Sequence, residues 1–390
     1  MTCSMSDAMK PILFSFRGLF LAHILAGAPQ VLAHTTIEYI AHACFVIESP
    51  SGTRVVIDPY NSSRWLGYSF PEEVRADAVL VTHPHYDHDA SYYWSRDVPV
   101  FRAPGRYTVG DVSVRGLRGH HADPYGKEFG QRNTVWLIEA GGLRILHLGD
   151  NGPPSRELLA EFGRVDVLMP PVDDLDHILK ADELAALRTE LRPKIVLPMH
   201  YRLTAVSELP KSVGLIDEWL STQPGVRRIE KDTARLSPFA LPKDPEVWVL
   251  DPSAHVKPWD ERLHQAWALR DDARNELKRG AADRALKLLQ QANTTVPEAA
   301  VFAVELAELL AKAAHHQEAI GILERTLASG PHDWEYLNRG RILLAQLYAS
   351  SGNRSGAAEQ YRLVLRDSDR SEWLLEAERF LGDSAGASTR

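Results

Sequence analysis

Read for its apolar positions, the chain passes from segments of period two to segments of helical period. Residues 36–48 and 53–58 alternate as half-buried strands do, and Pro50-Ser51-Gly52 between them makes the pair a hairpin. Residues 78–81 form a short continuous apolar run, read as a buried strand. Alternation returns over 109–117, and residues 133–140 and 143–148 make a second hairpin across Gly141 and Gly142. A helix over 155–162, a strand over 165–170, a helix over 181–191 and a strand over 195–198 then set a βαβ-like rhythm. A helix over 213–221 and a strand near 228–236 complete this part. Pro238, Pro242, Pro245, Pro252 and Pro258 mark 238–259 as a linker.

From about residue 260 the spacing is helical and it repeats. Ala273 recurs as Ala307, Ala285 as Ala319, Leu289 as Leu323 and Pro297 as Pro331, each 34 residues on. A third unit carries Ala345, Tyr348, Gly352, Ala357 and Tyr361 in the same relative places, shifted by four extra residues around 334–338, and a helix over 372–380 caps the series. This part resembles the tetratricopeptide repeat, which implies an all-α repeat domain over 260–385 with one continuous core. The resemblance also implies a concave face for a peptide or a second copy of the chain. The charges there are mixed in sign, so electrostatics do not name the partner.

The apolar run 78–81 leads straight into Thr82-His83-Pro84-His85-Tyr86-Asp87-His88. On an extended backbone His83 and His85 point the same way, while Asp87 and His88, past a turn, can address a second ion. Four ligand-type residues in six positions rarely serve packing alone. Asp58, at a strand end beside such a site, is expected to orient a ligand imidazole from behind. His42 has two readings: a hydrogen-bonding residue behind the ligands, or a satisfied core histidine. The strand over 109–117 delivers His120 and His121, of which alternation lets one face the site. Asp150 follows a strand and can bridge two cations, one oxygen to each. His200 follows another strand.

These motifs, with His42-Ala43-Cys44-Phe45, Ile57-Asp58-Pro59, Leu148-Gly149-Asp150 and Leu197-Pro198-Met199-His200-Tyr201, resemble the metallo-β-lactamase fold superfamily of binuclear metal hydrolases over about 36 to 205. Within it they are most similar to the branch that includes ascorbate-phosphate lactonase and the N-acylphosphatidylethanolamine-type phosphodiesterases. The resemblance implies an α/β fold, an αββα sandwich over 34–237, with ligands at strand ends. It also selects His121 over His120, because the branch places its ligand just before a short polar pair, here Ala122-Asp123. The ligand set then reads His83, His85 and His121 on one ion, Asp87, His88 and His200 on the other, and Asp150 between. A hydroxide held by both ions would attack a lactone, an ester or a phosphodiester; β-lactam hydrolysis fits the motifs less well. Nitrogen and carboxylate ligands without cysteine suit two Zn²⁺, with Mn²⁺ or Fe²⁺ as alternatives. A second class of reading is a partner-binding repeat protein whose metal domain is chiefly a scaffold, against which the complete ligand set argues. The chain departs from the branch at Asp173-Asp174-Leu175-Asp176-His177, where the branch carries Gly-Gly and then Thr, and a solvated acidic loop is expected. All candidate ligands precede Tyr201, so the helical part is expected to govern partner choice or assembly rather than chemistry.

Composition changes the picture in three places. With 390 residues and 44% apolar content the chain can bury two cores. A net charge of −8 and no basic run argue against nucleic acid as a partner. Lys10 and Arg17, an apolar stretch over 18–28 and the small-residue end at Ala33 read as a signal peptide over 1–33, and hence export to a periplasm or beyond. That stretch is too short, and too interrupted by His23 and Pro29, to span a bilayer stably. Cys3 would leave with the leader and Cys44 lies in an apolar strand, so no internal disulfide is expected.

Overall fold

The structure is a computed structural model that describes residues 34–172, 178–329, 333–368 and 370–387. The expected leader over 1–33 and the acidic segment 173–177 lie outside the described residues. Two sheets face each other. The first contains β1 (Thr35–Ala41), β2 (Cys44–Glu48), β3 (Arg54–Ile57), β4 (Ala78–Leu80), β5 (Val100–Phe101) and β13 (Thr233–Leu236), in the order β13-β1-β2-β3-β4-β5. The second contains β6 (Gly105–Val109), β7 (Val112–His120), β8 (Arg132–Ala140), β9 (Leu143–His147), β10 (Val167–Met169), β11 (Ile195–Val196), β12 (Val226–Ile229) and β14 (Glu246–Leu250), in the order β12-β14-β11-β10-β9-β8-β7-β6.

Alternation assigns the faces. Trp136 and Ile138 of β8 join Ile37, Phe45 and Val55 in the core shared by the sheets. Their neighbours Val135 and Leu137 pack instead with Phe162 and Leu187 of α1 (Arg156–Phe162) and α2 (Ala181–Leu191). Ser155 caps α1, its hydroxyl accepting from Leu158 N–H at 3.2 Å. A short α3 (Asp217–Ser221) adds Trp219 and Leu220 to the shared core.

Several segments differ from the periodicity reading: the strand over 109–117 breaks between β6 and β7, and the helix over 213–221 is confined to α3. Residues 36–48 are two strands rather than one, because the chain folds back at His42 and Ala43. Residues 228–236 split between β12 and β13, which belong to opposite sheets. The expected linker 238–259 contains β14, parallel to both β11 and β12. The prolines fall outside β14, whose own Glu-Val-Trp-Val-Leu has every N–H a ladder needs.

The helical part comprises α4 (Glu261–Lys278), α5 (Ala282–Thr295), α6 (Ala300–Lys312), α7 (His316–Ala328), α8 (Trp334–Ser350), α9 (Arg354–Asp367) and α10 (Ser371–Ala387). The recurring positions are its core: Ala273, Ala307, Ala285, Ala319, Leu289 and Leu323 are all buried, as are Ala345, Ala357 and Tyr361 in the third unit. Small side chains there let paired helices approach closely. Among the described residues no helix is long and apolar enough to cross a membrane.

Candidate metal centre

Strands β3, β4 and β5 run parallel, as do β9, β10 and β11, and the candidate ligands gather beyond their carboxyl ends. Asp58 follows β3, the segment from Thr82 to Asp89 follows β4, Asp150 follows β9 and His200 follows β11. His121 leaves the end of β7, and His42 occupies the turn between β1 and β2. His42, Asp58 and His200 hold left-handed backbone, with φ of 56°, 48° and 61°. Such a conformation costs a residue with a Cβ and clusters where side chains must be aimed.

Two groups of donors result. The outer group is His83, His85, His121 and Asp150, and the inner group is His42, Asp87, His88 and His200; within each the ligand atoms lie within 4.8 Å of one another. Asp150 joins them. Its Oδ2 lies 3.8 Å from His83 Nε2, 3.7 Å from His121 Nε2 and 3.3 Å from His200 Nε2, while Oδ1 lies 3.2 Å from His88 Nε2. His88 Nε2, His121 Nε2 and Asp150 Oδ1 are buried without a hydrogen bond among the described residues. The 3.2 Å approach of His88 to Asp150 lacks hydrogen-bond geometry. Converging, buried, unsatisfied donors of this kind are what a cation completes.

The partners behind these residues fix their tautomers. Asp58 Oδ2 accepts from His88 Nδ1 at 2.7 Å and from the Thr82 hydroxyl at 2.7 Å, while Thr82 N–H donates to Oδ1 at 2.8 Å. The Thr82 oxygen in turn meets His83 Nδ1 at 2.9 Å. His121 Nδ1 donates to the Ala122 carbonyl at 3.0 Å. In His83, His88 and His121, Nε2 is left for the centre. His120 is exposed and is held by its backbone, its N–H donating to Asn151 Oδ1 at 2.8 Å and its carbonyl accepting from Gly152 N–H at 3.0 Å. His42, left between two readings, faces the ligands: its Nε2 is 3.2 Å from Asp87 Oδ2. It stands in the inner group itself rather than behind it, because the break between β1 and β2 turns it inward.

The groups differ in charge. Burial, helped by His88 and His121, pushes His83 well below the usual imidazole range, and burial also lowers His121. His42 falls to about 4, by burial first and His200 second, against the pull of Asp87. For His88 burial alone would lower the value, but the carboxylates of Asp150, Asp58 and Asp87 outweigh it and hold the imidazole well above its usual range. Burial opposes the ionised form of Asp87 and Asp150, yet the surrounding histidines keep both below the usual carboxylate range.

Residues 36–200 match the family model described as Beta-lactamase superfamily domain, and residues 276–340 match a Tetratricopeptide repeat model. A UPF0173 metal-dependent hydrolase of Pelotomaculum thermopropionicum is 30% identical over 193 residues, 42% of this chain and 83% of the relative. The chain belongs to the UPF0173 metal-dependent hydrolases. A member from Carboxydothermus hydrogenoformans is 28% identical over 196 residues, 42% of this chain and 84% of its own. The crystal structure of a metallo-beta-lactamase superfamily protein from Thermotoga maritima matches with 28% identity, 56% of this chain, 100% of that one and a TM-score of 0.45.

As a UPF0173 metal-dependent hydrolase, the chain carries two supports that motif reading passes over. His147 is buried at the end of β9, its Nε2 donating to the Ala43 carbonyl at 2.9 Å while Nδ1 accepts from Gly149 N–H at 3.2 Å. It thereby ties the turn holding His42 to the turn holding Asp150. Asn133 Nδ2 donates to the Leu148 carbonyl at 2.9 Å, bracing the same turn. The only sequence signal was a polar residue inside each apolar strand.

Proposed function

We propose that this metal-dependent hydrolase is binuclear, with the outer group holding one divalent ion, the inner group a second, and Asp150 shared between them. The single observation that carries this reading is Asp150, whose two oxygens lie within 3.8 Å of histidines from both groups. Two ions bound there would polarise a carbonyl or phosphoryl oxygen and bring the pKa of water to roughly 7. The protein's part is to supply neutral Nε2 atoms, to hold them through Asp58, Thr82 and the Ala122 carbonyl, and to keep Asp87 and Asp150 ionised. Imidazole and carboxylate donors without thiolate favour Zn²⁺, with Mn²⁺ or Fe²⁺ as the next candidates. The substrate class is a lactone or ester, or else a phosphodiester, since the donor set serves either. We further propose that the chain is exported, from the leader pattern in residues 9–33, and that the helical repeats also engage a protein or a second copy of the chain.

The test is metal analysis of the purified protein followed by a panel of esters, lactones and phosphodiesters. About two ions per chain and turnover of one class, abolished by a chelator and restored by metal, are the expected results. Full activity in metal-stripped protein overturns the reading.

A further inference from the structure

A cleft of about 290 Å³ opens directly beside the outer group, and it is built from both parts of the chain. On the sandwich side stand Pro84, His85 and Phe129; on the helical side stand Trp334, Arg370 and Trp373. His85 belongs to the outer donor group and to the cleft wall alike, so whatever fills the cleft adjoins the metal centre. We propose that the first turn of α8, the end of α9 and the first turn of α10 form one wall of the active-site cleft, which holds a small, flat, apolar substituent of the substrate. The proposal rests on the hydrolase reading above and names the substrate class it takes.

Three observations carry it. The helical wall is fixed in place. Arg64, only 7% exposed, pairs with Glu335 at 2.9 Å and Asp333 at 3.4 Å, and its guanidinium lies 3.7 Å from the ring of Tyr86 and 4.6 Å from that of Tyr336. Tyr86 stands between the candidate ligands His85 and Asp87, so one buried cation clamps the ligand loop to α8. The indoles of Trp259 and Trp267 donate across the same boundary to the carbonyls of Ser62 and Ser63, at 2.6 and 3.0 Å. A module that swung free to bind partners would not bury a charge in its hinge.

The cleft's charges are also already matched. Arg370 pairs with Glu335 at 3.2 Å, Arg366 with Asp367 at 2.7 Å and Arg102 with Asp89 at 2.9 Å. No surplus of cations singles out a polyanion. Glu128 is taken up by His85 at 3.4 Å and Arg370 at 3.9 Å. Beside Asn338 and Ser368 the rest of the wall is aromatic: the guanidinium of Arg102 lies 5.4 Å from the Trp334 ring and that of Arg370 lies 4.7 Å from the Trp373 ring, while on the sandwich side the Phe129 ring lies 4.9 Å from that of His85. Rings take a flat apolar group by stacking and edge contacts. The volume is that of a small-molecule site rather than a macromolecular groove.

The test uses the full, metal-loaded chain and two readouts. Calorimetry compares phenylacetate with acetate as ligands, and proton release compares methyl phenylacetate with methyl acetate as substrates. The wild type is expected to prefer the phenyl-bearing member of each pair by at least about tenfold. Trp334→Ala and Trp373→Ala should erase that preference in both pairs while metal content stays within about twofold of wild type. Trp373→Phe, which keeps a ring and is the gentler change should either alanine variant fail to fold, should retain most of it. No preference in the wild type, or one that the tryptophan variants leave unchanged, overturns the proposal. A tryptophan-dependent phenylacetate preference in a protein that hydrolyses no ester, lactone or phosphodiester overturns the hydrolase reading and leaves the cleft standing.

Discussion

The inner and outer donor groups share Asp150 yet are built differently. Every inner donor is buried, two of them, His42 and His200, sit on left-handed backbone, and His88 is backed by the Asp58 carboxylate. The outer group draws two ligands from one short bent segment, rests on a hydroxyl and a backbone carbonyl, and leaves the His85 side chain 24% exposed toward the cleft. An ion in the inner group would be held by a shell that cannot relax. One in the outer group would meet solvent and substrate. The difference teaches that, were both groups loaded as proposed, they would divide the labour: the inner group would fix the shared carboxylate while the outer one would be open to exchange.

The change with the largest expected effect removes what the groups share. Asp150→Ala should lower kcat/KM on the order of 10³-fold and reduce metal content at both groups. Elemental analysis beside kinetics checks this, and loss confined to one ion would break the symmetry assigned to Asp150. Next comes the outer group alone. His121→Ala should cost about 10²-fold in activity and vacate one ion, while His120→Ala, at an exposed position, should stay within about twofold. Equal losses from the two variants, or loss from His120→Ala alone, would overturn the choice between these neighbours. Asp58→Asn then tests the inner group from behind: metal affinity there should fall about 10–100-fold, with a smaller loss at the outer group, whose His83 rests on the Thr82 hydroxyl that Asp58 holds, as read by chelator competition.

Much of this centre was legible because its residues lie at strand ends announced by apolar runs. His83, His85, Asp87 and His88 fall within six positions, and Asp150 and His200 each close a strand pattern. His42 was ambiguous for a physical reason. Strand alternation cannot register one left-handed residue, and the turn at His42 and Ala43 converts an apparent thirteen-residue strand, 36–48, into two that fold back. Strand β14 was hidden by flanking prolines. The 34-residue period exposed the helical core, since burial there repeats with sequence. The cleft did not repeat: Trp334, Arg370 and Trp373 face the sandwich from unit ends, where the period is interrupted, and nothing in their neighbours names chemistry. A ligand motif is local in sequence, whereas a pocket wall is local only in space.

The smallest expected effect is the most discriminating, because it separates the groups by protons rather than by mutation. In the metal-free protein His88 is held well above its usual range, so it carries a proton at neutral pH. An ion entering the inner group must expel that proton, and Asp150 raises His200 against burial as well, so affinity there should rise with pH until the raised values are passed. His83 and His121 lie below the usual range and bring no proton to expel, so affinity at the outer group should vary with pH less than affinity at the inner group. Stability carries the matching sign. His88 contributes stability to the metal-free protein that is fully present below its unfolded value of about 6.5 and is lost as pH rises through its folded value. Loading the inner group abolishes that dependence, because no proton remains to lose. Titrating Co²⁺ into the metal-free protein between about pH 6 and pH 8, with proton release followed alongside the visible spectrum, should give two steps, the inner one the more steeply pH-dependent. Two steps with the same slope would show that Asp150 couples the groups so tightly that inner and outer are a single site.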